Sequence, residues 1–478
     1  MSMGRQEGMQ GSMWIAYGDI QGAPGHRFYE KLNELLREAK FDRQVEALCA
    51  PYFEPDHTPG RKSIPPGMYF RMHLIGYFEG IESERGIEWR CADSLSLREF
   101  LGLELTQRVP DHSTLSRMRT RLPLEVHQRA FVLILGIVER KGLLRGRVSG
   151  VDSTFLRADA SMKAIVRRDT NESYSTFIQR LAQESGMENP TEEDARRFDR
   201  KRSGRKTSNK EWASATDSDA RIAKLKDGRT RLAYKSEHVV DLETGAIVGV
   251  AVHPADRSDT ATIEETLEMA EENLRQVTDG ESPEHGDDEG DNSRSRGGLS
   301  SSEGAAGNAR SVVADKGYHK ATVLRQLKQK CYRTYIPEPR HKGKRRWTDK
   351  GGRQAAVAFY QNRARVKRKK GKALQRKRGE LLERTFAHLC ETGGARRTRL
   401  RGRTNVNKRY LLQASAANLG LVMRTLYKWG SPRGMAEALR TCAQGASRLR
   451  TARESVVEAL RRTLLTIFQP VPTSRCAA

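Results

Sequence analysis

The stretch Arg147-Val148-Ser149-Gly150-Val151-Asp152-Ser153-Thr154-Phe155-Leu156 is where the period of the chain changes from that of helices to that of strands. It predicts a β-strand with an aspartate, Asp152, in its middle. A carboxylate inside a strand is costly to bury unless it is paired, hydrogen-bonded or bound to a metal ion. This strand therefore predicts both the start of a sheet and the position of a candidate site.

Alternating strands and helices follow. Two further predicted strands, Arg231–Asp241 and Ala246–His253, are joined by a hairpin-length connection. The later predicted elements are a helix from near Asp259, a strand Ser311–Ala314, a helix Lys320–Gln329, a strand Tyr332–Ile336 and a helix Lys372–Leu389. This order indicates an α/β fold. Residues 163–227 are polar and charge-rich, and we expect them to form an insertion between the first two strands.

The chain before this block has helical periodicity. Phe28, Leu32 and Leu35 lie at helical spacing, and a turn at Val109–Ser113 precedes a short basic helix. A basic third element is compatible with a helix-turn-helix, and equally with a helical cap whose arginines are solvated. We expect a helical DNA-binding domain at 1–145, a catalytic domain at 146–415 and a helical C-terminal tail at 416–478.

The charge of the chain points to a polyanionic partner. Its 86 Lys and Arg residues exceed its 60 Asp and Glu residues, a formal net charge of +26, and nucleic acid is the usual partner of such a protein. Arg340–Arg378 holds 17 basic residues and one acid, although a run of this kind can also be a solvated face. Asp279–Asp291 holds seven acids and no Lys or Arg, and with the Gly/Ser tract after it predicts a disordered linker at 279–308.

Two classes of protein are not supported. The six cysteines form no CxxC pair, which argues against a zinc ribbon or a disulfide scaffold. The longest apolar run, Phe131–Val138, is far shorter than the roughly 20 residues of a membrane span, and the N-terminus has no apolar signal segment. We expect a cytoplasmic, nucleoid-associated protein that has no membrane partner.

Three acidic residues fall at positions suited to a metal site. Asp152 lies within the first strand and Asp315 at the carboxyl end of the fourth, where ligands usually bind in α/β sheets. The last helix of the α/β block has an apolar stripe of Leu382, Phe386 and Leu389. Among Glu380, Glu383 and Glu391, only Glu383 lies on the rim of that stripe. Such a set suits two divalent cations held by oxygen ligands, Mg²⁺ first, with Mn²⁺ as a substitute.

The three acids lie in the motifs Gly150-Val151-Asp152-Ser153-Thr154, Ala314-Asp315-Lys316-Gly317-Tyr318 and Glu383-Arg384-Thr385-Phe386-Ala387-His388. These motifs resemble those of the DDE transposases of bacterial insertion sequences, and most closely those of the insertion-sequence-five-like group. Further similar stretches are Tyr234-Lys235-Ser236-Glu237-His238, Arg396-Arg397-Thr398-Arg399-Leu400-Arg401-Gly402 and, near the N-terminus, Pro110-Asp111-His112-Ser113-Thr114. The resemblance runs in order from about Phe28 to Arg424. It implies a ribonuclease-H-like mixed-sheet catalytic domain in which Asp152, Asp315 and Glu383 are catalytic and bind the metal ions.

Around the glutamate the sequence departs from the pattern of many relatives. They carry a Tyr seven residues before it, an Arg four before and a Lys seven after, where this chain has Arg376, Gly379 and Cys390. Nearby arginines are candidate substitutes for their grip on phosphate. The basic residues that we expect to contact DNA are Arg117, Arg119, Arg345, Arg346, Lys369, Lys370, Arg378, Arg384, Arg396 and Arg397.

The leading functional hypothesis is a transposase that binds the terminal inverted repeats of its own element on double-stranded DNA. It would cleave the phosphodiester at each end and join the freed 3′-hydroxyl to target DNA, with two metal ions serving both steps. Pairing of two ends favours a homodimer. One alternative is a nuclease on the same fold that cuts without joining. The other is a DNA-binding repressor or an inactive relic.

Overall fold

The computed structural model of the chain describes residues 26–54, 63–203, 207–225, 227–279, 310–340, 347 and 352–467. The predicted linker at 279–308 lies outside these residues apart from Asp279, which ends a helix. Arg345 and Arg346 also lie outside them.

The N-terminal part of the described chain consists of helices, as predicted. They are α1 (Arg27–Glu38), α2 (Phe41–Cys49), α3 (Pro66–Glu79), α4 (Glu84–Ala92), α5 (Leu95–Phe100), α6 (His112–Arg121) and α7 (Leu124–Arg140). Helix α3 is buried on nearly all sides and lies at the centre of this group. The side chains of Ser83, Ser94 and Asp111 accept hydrogen bonds from backbone N–H groups and so cap α4, α5 and α6.

The strands follow, and most of them form one mixed sheet. They are β1 (Val148–Arg157), β2 (Ile165–Arg167), β3 (Trp212–Ser214), β4 (Arg221–Lys224), β5 (Thr230–Asp241), β6 (Ile247–Pro254), β7 (Ser311–Ala314) and β8 (Arg333–Tyr335). β5 is antiparallel to β1 on one side and to β6 and β4 on the other. β7 runs parallel to β1, and β8 runs parallel to β7. The predicted α/β fold with a mixed sheet is thereby confirmed.

Two layers of helices cover the sheet. The remaining helices are α8 (Tyr174–Glu184), α9 (Glu192–Lys201), α10 (Asp259–Asp279), α11 (Ala321–Gln329), α12 (Gly352–Lys367), α13 (Lys369–Ala387), α14 (Arg403–Tyr427) and α15 (Pro432–Ile467). Short 3₁₀ turns lie at Ala50–Tyr52, Met162–Ala164 and Lys316–Tyr318, and a π-helical turn, His388–Thr392, extends α13. α13 packs on β1 and β7, whereas α10 packs on β5 and β6 from the other face.

Helix α14 joins the N-terminal helices to the sheet. It packs against α3 and α7 as well as β6. It also runs without interruption through position 415, the predicted end of the catalytic domain. The Asn418 side chain accepts a hydrogen bond from Ile247 N–H (2.9 Å) and donates one to the carbonyl of the same residue (2.8 Å), so it satisfies the backbone of β6. The N-terminal helices and the sheet consequently share one hydrophobic core.

The segment predicted as a polar insertion is folded and packs on the shared hydrophobic core. It contains β2, β3, α8 and α9, together with β4, which pairs with β5 in the main sheet. Its aromatic centre is Trp212, packed edge-on against Tyr174 (5.1 Å between ring centroids) and Phe177 (5.3 Å). Aromatic pairs in this geometry add to the free energy gained from burial. Among the described residues, no helix combines the length and the apolar character needed to cross a membrane.

Candidate active site

The two predicted aspartates lie side by side at the centre of the sheet. In the parallel pairing of β1 with β7, Val151 is opposite Ala314. The next residue of each strand is an aspartate, so Asp152 and Asp315 follow neighbouring positions on adjacent strands. Asp315 begins the 3₁₀ turn Lys316–Tyr318 directly after β7. The sheet thus brings together two carboxylates that lie 163 positions apart in the chain.

One cation bridges these carboxylates. A guanidinium N–H of Arg378, on α13, donates a hydrogen bond to Oδ2 of Asp152 across 2.8 Å, and its other terminal nitrogen lies 3.9 Å from Oδ1 of Asp315. The Arg378 side chain is only 13% exposed. The sequence predicted Arg378 as a DNA contact, and in this structure its guanidinium lies between the two acids.

Opposing effects act on the pKa of the Asp152 carboxyl. Burial raises the pKa of Asp152, and the nearby charge of Asp315 raises it further. Arg378 and the N–H of Ser153, which donates to Oδ1 across 2.8 Å, oppose this effect. Two acids this close favour a cation between them, because bringing their charges together without one is unfavourable.

Helix α13 lies close to the aspartates because Gly150 on β1 has no side chain that would hold the helix away from the sheet. A Cβ at that position would lie 3.0 Å from Cδ1 of Leu382 and 2.6 Å from Cδ2 of Leu242. The absence of a side chain therefore lets the helix approach β1 closely. One helical turn before Leu382, the same face of α13 carries Arg378.

Two further residues hold α13 in register. The Gln375 side-chain amide donates to the carbonyls of Tyr335 (2.5 Å) and Ala314 (3.2 Å) at the ends of β8 and β7. Phe386 stacks on the His238 ring with 4.0 Å between centroids, and His238 is the cross-strand partner of Asp152 on β5. Phe386 belongs to the apolar stripe that the sequence predicted for this helix, whereas no sequence signal indicated the role of Gln375, which lies on the same helical face.

Glu383 lies beside this contact face and not on it. It follows Leu382 by about 100° around α13, and its side chain is exposed. Across the described ranges, no group of three or more His, Cys, Asp or Glu side chains is close enough to hold a metal ion. The structure therefore brings Asp152 and Asp315 together and leaves Glu383 at the rim.

A buried polar network supports β1 from the opposite face. Glu237, which is fully buried, accepts hydrogen bonds from Tyr318 O–H (2.7 Å) and Thr262 O–H (3.0 Å). Ser153, the neighbour of Asp152, donates to Oδ1 of Asp259 across 3.0 Å, and Lys235 donates to the same oxygen across 3.1 Å. The Lys235 and Glu237 of the sequence motif thus fix the strand and the turn that carry the two aspartates.

Comparison with known families accounts for this arrangement. Residues 151–419 match the family described as Transposase DDE domain, and residues 19–121 match Transposase domain (DUF772). The chain belongs to the DDE transposase family. No curated protein and no solved structure matches the chain. The two matches support a function in DNA transposition and imply a nuclease or transposition enzyme whose substrate is DNA.

The donor set of the transposase fits a cation. The family generally uses divalent metal ions, and oxygen ligands from carboxylates are those that Mg²⁺ prefers. Asp152 and Asp315 already share one positive group, the Arg378 guanidinium. The two aspartates are therefore a suitable pair of ligands.

The predicted DNA contacts of the transposase differ in exposure. Arg119 is 8% exposed and pairs with Glu84, and its own carbonyl accepts a hydrogen bond from Lys408 (2.8 Å). Its neighbour Arg117 is exposed and donates a hydrogen bond to Thr114 on the same helix (3.0 Å). The ion pair with Glu84 explains how the charged Arg119 side chain can be buried in the N-terminal core.

The remaining basic candidates on described residues lie at the surface. Lys369 and Lys370 begin α13 and are exposed. Arg384 and Arg396 are more than half exposed and pair with Glu380 (2.7 Å) and Glu391 (3.2 Å). Arg397 is 39% exposed and pairs with Asp159 (3.0 Å).

Proposed function

We propose that this transposase binds the terminal inverted repeats of its own mobile element and cleaves the phosphodiester at each end. The 3′-hydroxyl freed by cleavage would then attack target DNA. The observation that carries the proposal is the adjacency of Asp152 and Asp315 on parallel neighbouring strands, with a cation between them. Phosphoryl transfer of this kind requires mainly positioning and charge stabilisation, both of which such a site supplies.

The finer identity of the fold is also proposed. A strand order of β6, β5, β1, β7, β8, with the first three antiparallel and the last two parallel to β1, supports a ribonuclease-H-like catalytic domain. The motif words around the three acids support membership of the insertion-sequence-five-like group. We retain 1–145, 146–415 and 416–478 as the proposed domains, with a homodimer because two element ends must be paired.

Asp152 and Asp315 would hold the divalent ions, with Glu383 as the third ligand from the helix that carries Arg378. When bound, two such ions supply an activated water or hydroxyl on one side of the phosphorus and stabilise the leaving oxygen on the other. We propose Mg²⁺, with Mn²⁺ able to replace it. Arg378 would be available to a DNA phosphate once the aspartates have another cation.

The exposed basic residues would hold the DNA backbone. We propose Arg117, Lys369, Lys370, Arg384, Arg396 and Arg397 as contacts, together with Arg345 and Arg346, and we assign Arg119 to the core because of its ion pair with Glu84. Counterion release at each neutralised phosphate would supply most of the affinity. A protein bound to DNA in this way would be associated with the nucleoid.

Cleavage assays on DNA carrying the element ends test this function. The ends are identified by inspecting the DNA that flanks the gene for imperfect inverted repeats bounded by short direct repeats. We expect Asp152→Asn, Asp315→Asn and Glu383→Gln to bind these ends normally and to lose Mg²⁺-dependent nicking. Glu380→Gln and Glu391→Gln, on the same helix and its extension, are the matched controls and should nick normally.

Three results would overturn parts of the proposal. Full nicking by Glu383→Gln would exclude that residue as the third ligand. Cleavage by the wild-type protein without joining of pre-nicked ends to target DNA would identify a nuclease. Binding without cleavage under any divalent ion would identify a repressor or an inactive relic.

A further inference from the structure

A pocket lined by arginines lies beyond the end of β1, away from the aspartates. A cavity of about 480 Å³ opens there between β1, β5 and the segment 396–401. Its lining includes four arginines, Arg157, Arg231, Arg397 and Arg401. Arg157 is five residues after Asp152, which corresponds to about 17 Å along a strand. The proposed catalytic chemistry uses none of Arg157, Arg231 and Arg401.

The backbone brings two of these arginines into direct apposition. Arg157 N–H donates to the carbonyl of Arg396 (3.2 Å), and Thr398 N–H donates to the carbonyl of Arg157 (2.9 Å). These bonds form a parallel bridge in which Arg157 and Arg397 are partners. Like charges at paired positions are unfavourable, so the fold keeps this juxtaposition at a cost to its stability.

The carboxylates nearby neutralise only part of this charge. Asp159 lies between Arg397 (3.0 Å) and Arg401 (3.5 Å), and Asp227 is 3.8 Å from Arg231. Among the residues that the structure describes, two acids thus form ion pairs with these arginines, against four guanidinium groups. The pocket retains an excess of positive charge, and Arg401 is 58% exposed at its mouth.

The Arg157 guanidinium remains available in this pocket. In the part of the chain that the structure describes, it makes no hydrogen bond or ion pair, whereas Arg397 donates to Oδ1 of Asp159. Burial lowers the pKa of Arg157, the charges of Arg231 and Arg397 lower it further, and the charge of Asp227 opposes them. An anion would relieve the repulsion among these arginines and accept hydrogen bonds from the Arg157 guanidinium.

We propose that this pocket is a phosphate-binding subsite that holds the DNA backbone of the substrate outside the catalytic aspartates. Guanidinium groups bind phosphate through two parallel N–H···O bonds, which favours arginine over lysine at such positions. The assignment to DNA rests on the proposed function of the transposase. The shared chemistry is a phosphate group, and a free nucleotide is the other source that could supply one.

The test measures DNA binding without cleavage, in EDTA, with the full chain and a fluorescent 40-base-pair duplex of arbitrary sequence. We expect the double variant Arg157→Gln/Arg231→Gln to bind more weakly. The slope of log Kobs against log salt concentration should fall in magnitude by about 0.9, because one DNA phosphate is no longer neutralised by the protein. Arg401→Gln, an exposed change that spares the sheet, should weaken binding in the same direction and guards against misfolding of the double variant.

A charge-matched control separates the pocket from net charge. Arg196→Gln/Arg275→Gln removes two surface arginines that pair with acids on their own helices, and it should leave the salt slope unchanged. An unchanged slope in the pocket variants would overturn the subsite. Calorimetric binding of ATP that is abolished in the double variant, with DNA binding unaltered, would assign the pocket to a free nucleotide. Failure of the wild-type protein to cleave DNA would overturn the proposed function, but the salt dependence of DNA binding would still test the pocket.

Discussion

The guanidinium of Arg378 donates to Oδ2 of Asp152 across 2.8 Å and so occupies the position between two acids where a metal ion is expected. Its second terminal nitrogen lies 3.9 Å from Oδ1 of Asp315, so the same guanidinium is also close to the other carboxylate. Arginine cannot lose its charge at ordinary pH, so a divalent ion must compete with it.

This competition predicts the effect of removing the arginine. Arg378→Gln should bind Mg²⁺ or Mn²⁺ about tenfold more tightly in the absence of DNA, equivalent to about 1.4 kcal/mol, because the carboxylates lose their resident cation. Isothermal titration calorimetry measures the change. Arg384→Gln, exposed on the same helix and paired with Glu380, should bind the ions as the wild type does. Weaker binding by Arg378→Gln would mean that this arginine organises the carboxylates for the ion.

The close approach of α13 to β1 predicts a sensitive glycine. Gly150→Ala should lower the free energy of unfolding by about 1 to 3 kcal/mol, because its Cβ meets Leu242 and Leu382. It should also reduce DNA cleavage, since Arg378 and Glu383 move with the helix. Chemical denaturation and nicking assays measure the two effects. At Gly379, on the same helix, an added Cβ has no atom within 4 Å, so Gly379→Ala should not destabilise the protein. Equal stability of the two variants would contradict the packing.

The cap of α6 predicts a stability effect in the N-terminal helices. Oδ1 of Asp111 accepts hydrogen bonds from Thr114 N–H (2.6 Å) and Ser113 O–H (2.6 Å), and these bonds lower the pKa of Asp111 to about 2. Asp111→Ala should cost about 0.5 to 2 kcal/mol of stability in urea denaturation. Ser113→Ala leaves the backbone cap in place and should cost less. A larger loss for Ser113→Ala would show that the hydroxyl, and not the carboxylate cap, dominates.

Buried His127 predicts a loss of stability in weak acid. Its Nδ1–H donates to the Pro123 carbonyl (2.9 Å), so its Nε2 accepts from Tyr69 O–H (3.0 Å) and has no room for a second proton. Burial lowers the pKa of His127 to about 4, below the value of about 6.5 in the unfolded chain. Between these values only the unfolded state binds the proton, so stability falls as the pH falls.

The expected contribution of His127 is a decrease of about 1 to 2 kcal/mol in the free energy of unfolding between pH 7 and pH 5. Urea denaturation at both pH values measures it. His127→Asn keeps a donor for Pro123 and removes the titration, so its decrease should be smaller by that amount. The same decrease in the variant and the wild type would refute the assignment. Between pH 7.5 and 8.5, where His127 titrates in neither state, the two pH dependences should agree.

Several features were predictable from the sequence because they depend on local periodicity. The alternation in 147–156 and the short apolar run Ser311–Ala314 predict strands. Asp152 lies within the first strand and Asp315 directly follows the second, and these two aspartates lie next to each other in the sheet. The stripe of Leu382, Phe386 and Leu389 predicts the face that α13 packs on the sheet. The same arithmetic puts Glu383 at the rim, and its side chain is exposed there.

Other features required the tertiary structure because they join distant residues. Arg119 belongs to a basic helix in the sequence, yet Glu84, 35 residues earlier, draws it into the core. Nothing in the pattern around Arg157 indicates that Arg397 lies beside it, because a single bridge between loop and strand end makes that pairing.

By itself, the sequence determined the helical N-terminal region, the strands of an α/β fold and the aspartates within and after two of those strands, since hydrophobic period and charge act over a few residues. Only the tertiary structure decided which cation meets the aspartates and which arginines gather beyond β1. Those outcomes depend on the distance between helix and sheet at Gly150 and on strand register, and neither is encoded in local spacing.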